Sequence, residues 1–182
     1  MKHKINITLL VLLTLVLSGC TLPPLNFTPK DVSQFSRKVD ADLRSITVSV
    51  AQDNEKKGDI DFNLDYSKTV PDLWKAGLED SLNRSLAFSD SSGRKVNLRV
   101  KILSFDMPAM GITMRTNTIA AYEIQNRETG KIVFSREIST EGVVPGNYSF
   151  TGAIRAMESA NRAVQNNVTE FMRILQVEGL TD

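Results

Sequence analysis

Val96-Asn97-Leu98-Arg99-Val100-Lys101-Ile102-Leu103 alternates apolar and polar side chains. Alternation with period two describes a strand with one buried face. A second long run, from about Ile112 to Gln125, contains Ile119, Ala121 and Tyr122-Glu123-Ile124. Glu128-Thr129-Gly130-Lys131 is a tight hairpin signal, and a third run follows from Ile132-Val133-Phe134 to Val144. Three consecutive strands with hairpin links read as an antiparallel meander.

Upstream, Ser45-Ile46-Thr47-Val48-Ser49-Val50 alternates strictly and is rich in β-branched residues, which predicts a first strand. Pro71-Asp72 opens a helix, because proline suits the first helical position and an acid suits the positive end of the dipole. Leu73, Trp74, Leu78, Leu82 and Leu86 form its apolar stripe. Downstream, Thr151 or Ser149 caps a helix of about 25 residues, and Gly179 stops it. Its stripe is Ile154, Met157, Val164, Val168, Phe171 and Leu175. The predicted order is β-α-β-β-β-α. The predicted class is α+β, a mostly antiparallel sheet with two helices packed on one face. Leu78, Leu82, Val100, Ile102, Val164, Val168 and Phe171 are expected in one core cluster.

The start of the chain says where the domain sits. Met1-Lys2-His3-Lys4 is basic, Ile5 to Leu17 is apolar, and small residues follow in Leu17-Ser18-Gly19-Cys20. This is the pattern of a secretory signal peptide. The apolar run is too short to span a bilayer, which takes about 20 residues. The Leu-x-Gly-Cys ending resembles the bacterial lipobox. The resemblance implies that Cys20 receives a diacylglycerol on its thiol, becomes the first residue and is acylated on its amino group. Thr21, where inner-membrane retention uses Asp, then implies the inner leaflet of the outer membrane, with the domain in the periplasm. The expected layout is a signal peptide over 1–19, a lipidated Cys20 with a tether over 20–42, and one domain over 43–182. Pro23, Pro24 and Pro29 disfavour helix in the tether. It is either a free spacer or, around Val32 to Val39, packed on the domain.

Composition excludes more function than it suggests. Removing 19 of the 182 residues leaves 163, enough for one domain with a real core. Of 22 basic residues Lys2 and Lys4 leave with the signal, against 21 acidic ones, so the mature charge is −1. Nothing there attracts nucleic acid. The single Cys is Cys20 and the single His is His3. A cleaved, lipidated chain therefore lacks the parts of a Ser-His-Asp or Cys-His site and of a His- or Cys-built zinc site. No cofactor is implied, since there is no Gly-rich phosphate loop and no G-x-S-x-G.

Four constellations are candidates for chemistry or binding. Asp59-x-Asp61-x-Asn63-x-Asp65 opens like a calcium loop, then has Leu64 where glycine belongs and Val70 where a bidentate Glu belongs, so no metal is expected. Met107-Pro108-Ala109-Met110-Gly111-Ile112-Thr113-Met114 holds three of the six methionines between two strands. Met107, Met110 and Met114 form a candidate binding loop for a partner or a lipid, or else fill the core edge. Asn161, Arg162, Gln165 and Asn166 form a candidate partner surface on the last helix, against the simpler reading of a solvated back. Glu79, Asp80, Glu123 and Glu137 supply carboxylates, but nothing places them in a pocket that would split their pKa values.

Ile46-Thr47-Val48-Ser49-Val50, Val96-Asn97-Leu98-Arg99-Val100 and Ala160-Asn161-Arg162-Ala163-Val164-Gln165-Asn166-Asn167, with the lipobox, resemble small outer-membrane lipoproteins of Gram-negative bacteria. The resemblance is to the YajG-like lipoproteins and the auxiliary lipoproteins of ABC transport systems, and covers most of residues 45 to 176. It implies a fold and brings no catalytic residues. Similar lipoproteins are sometimes labelled UDP-N-acetylglucosamine acyltransferase, yet that activity belongs to hexapeptide-repeat β-helices with a catalytic histidine. Two functions fit these features. One is a non-catalytic accessory or assembly factor in envelope transport or maintenance, partnered by an envelope complex. The other is a lipid- or glycolipid-handling protein or enzyme, which needs an apolar cavity between helices and sheet.

Overall fold

The computed structural model describes residues 24–61 and 69–181. The signal peptide, Cys20 and Thr21 lie outside the described residues, as do Asn63, Leu64 and Asp65 of the acidic segment. The elements are β1 (Asp42–Val50), β2 (Ile60–Asp61), α1 (Thr69–Arg84), β3 (Lys95–Asp106), β4 (Met114–Asn126), β5 (Ile132–Val144), a 3-10 turn (Gly146–Tyr148) and α2 (Gly152–Glu178).

The class is α+β, with two corrections. The sheet is mixed rather than mostly antiparallel. Its order is β1-β3-β4-β5, with β1 parallel to β3 and the pairs β3/β4 and β4/β5 antiparallel. The helical crossover through α1 brings the chain back beside β1 in the same direction, whereas the two hairpins reverse it. The element order also departs from β-α-β-β-β-α, because β2 stands between β1 and α1. Ile60 and Asp61 pair with Phe105 and Asp106 in parallel, so β2 takes up the edge of β3 where β1 has left it.

β3 outlasts its visible alternation. The register with β4 shifts between Ile102 and Ser104, so Leu103 is the extra residue of a bulge. The bulge moves the core face from even to odd positions. Val96, Leu98, Val100 and Ile102 are buried before it and Phe105 after it. On β1, Ile46 and Val48 are only half-buried, as befits an edge strand.

Both helices lie on one face, since Trp74 of α1 and Asn167 of α2 both reach Tyr122 of β4. The seven expected core residues are all buried in a single cluster. Leu86 is the exception to the expected α1 stripe. The helix ends at Arg84, Leu86 adopts φ 52°, and its side chain is 50% exposed. α2 closes at Gly179, whose φ of 65° lets its N–H reach the Leu175 carbonyl at 3.0 Å. It packs on β5 at backbone distance, because a Cβ on Gly142 would lie 2.1 Å from the Ser159 carbonyl oxygen.

Residues 25–39 lie against the domain instead of standing off from it. Leu25 and Phe27 are buried. Phe27 packs edge-on to Trp74 and tilted to Phe105, each at 6.3 Å between centroids. This strap runs beside both helices in their own direction. Asn26 meets Asn161 and Gln165, and further along Ser36 meets Gln176. On α1, Gly77 lies under Phe27, where a Cβ would sit 2.6 Å from its carbonyl oxygen, and Ser85 accepts from the Phe35 N–H. Among the described residues, no helix is long and apolar enough to cross a membrane.

Candidate functional site

The amide row of α2 is turned onto the protein's own backbone. Asn161 Oδ1 accepts from the Asn26 N–H at 2.7 Å, and Gln165 Nε2 donates to the Asn26 carbonyl at 2.8 Å. Two side chains one helical turn apart thus hold one strap residue by both backbone groups. On another side of the helix, Arg162 Nη1 donates to the Val143 carbonyl at 2.9 Å and Asn166 Nδ2 to the Glu141 carbonyl at 2.8 Å. Those two side chains serve the edge of β5. The four residues of the candidate partner surface therefore tie α2 to its two neighbours.

The Met-rich segment divides. Met107 and Met114 are buried, Met114 at 1% exposure, and both belong to the core cluster. Met110 is 85% exposed and Ile112 82% exposed. The methionines at the strand ends fill the core edge, and the turn between them carries its apolar side chains outward. Phe150, in the link before α2, is also fully exposed.

The polar feature that sequence reasoning missed is buried under the helices. Trp74 Nε1 donates to the Tyr122 hydroxyl at 3.2 Å, and that hydroxyl donates to Asn167 Oδ1 at 2.7 Å. Asn167 Nδ2 donates to the Ile138 carbonyl at 3.0 Å. The Tyr122 ring stacks on Phe171 at 4.3 Å with planes 10° apart. Burial pushes the Tyr122 hydroxyl well above its ordinary pKa of 10, which keeps it a neutral donor. Trp74, Tyr122 and Asn167 are all fully buried. The group is one satisfied network between two helices and the sheet, and chemically a structural bolt.

The candidate acid–base carboxylates each have a basic neighbour. Glu123 pairs with Arg99 at 3.2 Å and Glu137 with Lys57 at 2.6 Å on the uncovered sheet face. Asp80 pairs with Arg84 at 3.0 Å and Glu79 with Lys75 at 3.6 Å along α1. Among the described residues, no group of three His, Cys, Asp or Glu side chains is placed to hold a metal ion. A cleft of about 250 Å³ opens between strap and helices, lined by Pro29, Val32, Phe35, Ser81 and Met172. It is a surface groove beside the strap and does not enter the helix–sheet interface.

No family model matches the chain, and no curated protein matches it in sequence. Solved structures do match. A protein from Xanthomonas campestris described by the family model DUF330 superposes with a TM-score of 0.56 at 11% identity, over 85% of this chain and 93% of that one. A minor lipoprotein from Acinetobacter baumannii gives a TM-score of 0.46 at 10% identity, over 75% of this chain and 95% of that one. The first likeness shows a shared fold.

Proposed function

We propose that the chain is a lipoprotein anchored through Cys20 in the inner leaflet of the outer membrane. Its periplasmic domain serves as a non-catalytic accessory or assembly factor in envelope transport or maintenance. The observation that carries this reading is the attachment of the strap. Asn26, six residues after Cys20, is held by Asn161 and Gln165, and Phe27 is buried in the core. A chain lipidated at Cys20 would hold its domain at the membrane by a short leash, the arrangement of an adaptor fixed to one surface. Two or three acyl chains make such an anchor stable. The closed helix–sheet interface around Tyr122 supports binding over turnover, because a lipid-handling enzyme needs an apolar cavity there.

The test is fractionation of the full chain with and without Cys20→Ser. The native chain is expected in the outer-membrane fraction with a mass that includes the acyl groups, and the variant is expected to be soluble or unprocessed. A variant that still fractionates with the outer membrane overturns the anchor. Crosslinking in intact envelopes then tests the adaptor role, with specific envelope proteins expected among the products. A purified protein that turns over an acyl or sugar-nucleotide substrate would overturn that role.

A further inference from the structure

Met110 and Ile112, 85% and 82% exposed, and the fully exposed Phe150 stand at one end of the domain. Scattered exposed apolar residues need no explanation. These three come from two loops tied to each other. Arg155, in the first turn of α2, donates through Nη2 to the Gly111 carbonyl at 3.0 Å and through Nη1 to the Phe150 carbonyl at 3.2 Å. The same Nη1 also reaches the Ser149 carbonyl. Ile112 lies on Gly146, where a Cβ would come within 2.7 Å of its Cγ2. Tyr148, half exposed, precedes Phe150 in the same loop and has the Arg162 guanidinium 5.3 Å from its ring centre. The backbones are held, and the apolar ends face solvent.

The path of the strap says what covers this tip. The strap runs beside α2 in the same direction, with Asn26 at Asn161 and Ser36 at Gln176. Followed back from Ser36 to Asn26, the strap therefore heads toward the N-terminal end of α2, which is the end that carries Arg155 and both loops. Asn161 stands nine residues beyond Gly152, a rise of about 14 Å along the helix. The six residues from Cys20 to Asn26 span at most about 20 Å. That length lets Cys20 reach the level of Phe150 and cannot lift the domain far beyond it.

We infer that Met110, Ile112 and Phe150 form a docking tip that enters the headgroup region of the same leaflet that holds the acyl chains of Cys20. The inference rests on the anchor reading. Apolar and aromatic side chains suit that zone, where Tyr and Trp are also enriched. The nearby cations are already engaged, Arg155 with carbonyls and Arg115 with Glu141. Docking is thus apolar, needs no anionic lipid and resists salt.

The experiment uses the full, processed chain reconstituted into vesicles of neutral phospholipid. An environment-sensitive fluorophore is placed at Phe150→Cys, at Met110→Cys or at the far hairpin, Thr129→Cys. Lipidation blocks the Cys20 thiol, so the new cysteine is the one labelled. Labels at 150 and 110 are expected to shift to shorter wavelength, to be quenched by brominated acyl chains, and to keep both properties in high salt. The label at 129 is expected to behave as in water. An acylated protein whose 150 and 110 labels match the 129 label overturns the docking and leaves the anchor standing, as does a signal abolished by salt. A mature protein whose mass shows no acyl groups overturns the anchor and the docking with it.

Discussion

Along β4 the two faces of the sheet can be compared residue by residue. Met114, Thr116, Thr118, Ala120, Tyr122 and Ile124 are buried beneath the helices, and their polar atoms are paired. Between them stand Arg115, Asn117 and Glu123, on a face that no helix among the described residues covers, where Arg115 meets Glu141 and Glu123 meets Arg99. The covered face combines close packing with hydrogen bonds that water cannot replace. The open face holds exposed ion pairs whose partners water replaces readily. Stability should therefore be concentrated on the helix side, and the open side should tolerate change.

The largest expected effect is at Phe171, which stacks on Tyr122 and meets Phe134 edge-on at 5.8 Å. Phe171→Ala should lower the stability of the fold by about 3–5 kcal/mol, read from denaturant unfolding. A change below about 1 kcal/mol would break the comparison at its strongest point, since it would mean that α2 does not seal the sheet. Asn167→Ala comes next. It removes the acceptor of the Tyr122 hydroxyl and the donor to the Ile138 carbonyl, and α2 leaves little room for water to replace them. A loss of about 1–3 kcal/mol is expected, with the helix content unchanged by circular dichroism.

How much of this contrast was legible in the sequence depends on the kind of pattern each part leaves. Alternation marked the buried face of Val96–Ile102, the meander that follows, and the seven core residues. It could not show that β1 lies parallel to β3, because alternation assigns faces and not neighbours. The bulge at Leu103 breaks the period and hid the last residues of β3, and two residues at Ile60–Asp61 are too few to carry any period. Proline in the strap left a free spacer and a packed segment equally open, because extended backbone suits both a tether and a chain held in a groove by side-chain amides. The Trp74–Tyr122–Asn167 network joins residues 48 and 45 positions apart and has no local signature. At the Met-rich loop, composition found the right segment but could not tell that Met107 and Met114 turn inward while Met110 turns out.

Tyr122→Phe sharpens the comparison through pH. The ring and its stack on Phe171 stay, while the Trp74 N–H and Asn167 Oδ1 each lose their partner, at a cost of about 1–3 kcal/mol near neutral pH. In the native protein the folded pKa of Tyr122 is raised above its ordinary value of 10 by burial. Its contribution is fully present below pH 10 and declines as pH rises beyond it, because only the unfolded chain can then release that proton. The native protein should lose stability above pH 10 more steeply than the variant, so the gap between them narrows. A gap that stays constant to higher pH would show that the hydroxyl is not shielded from water.

The smallest effect belongs to the open face. Arg99 and Glu123 sit opposite each other on β3 and β4 with side chains 49% and 43% exposed. Water screens their attraction, and ordering two long side chains offsets part of it. Arg99→Ala and Glu123→Ala, singly and together, should each change stability by less than about 1 kcal/mol, and the double-mutant cycle should give a coupling of a few tenths. Lys57 and Glu137 are paired on the same face at 2.6 Å, so removing that pair as well tests whether the ion pairs act as a network. Additive losses would keep the open face as a set of independent surface pairs. A coupling above about 1 kcal/mol across the four residues would mean that this face is desolvated in solution, and that something other than water covers it.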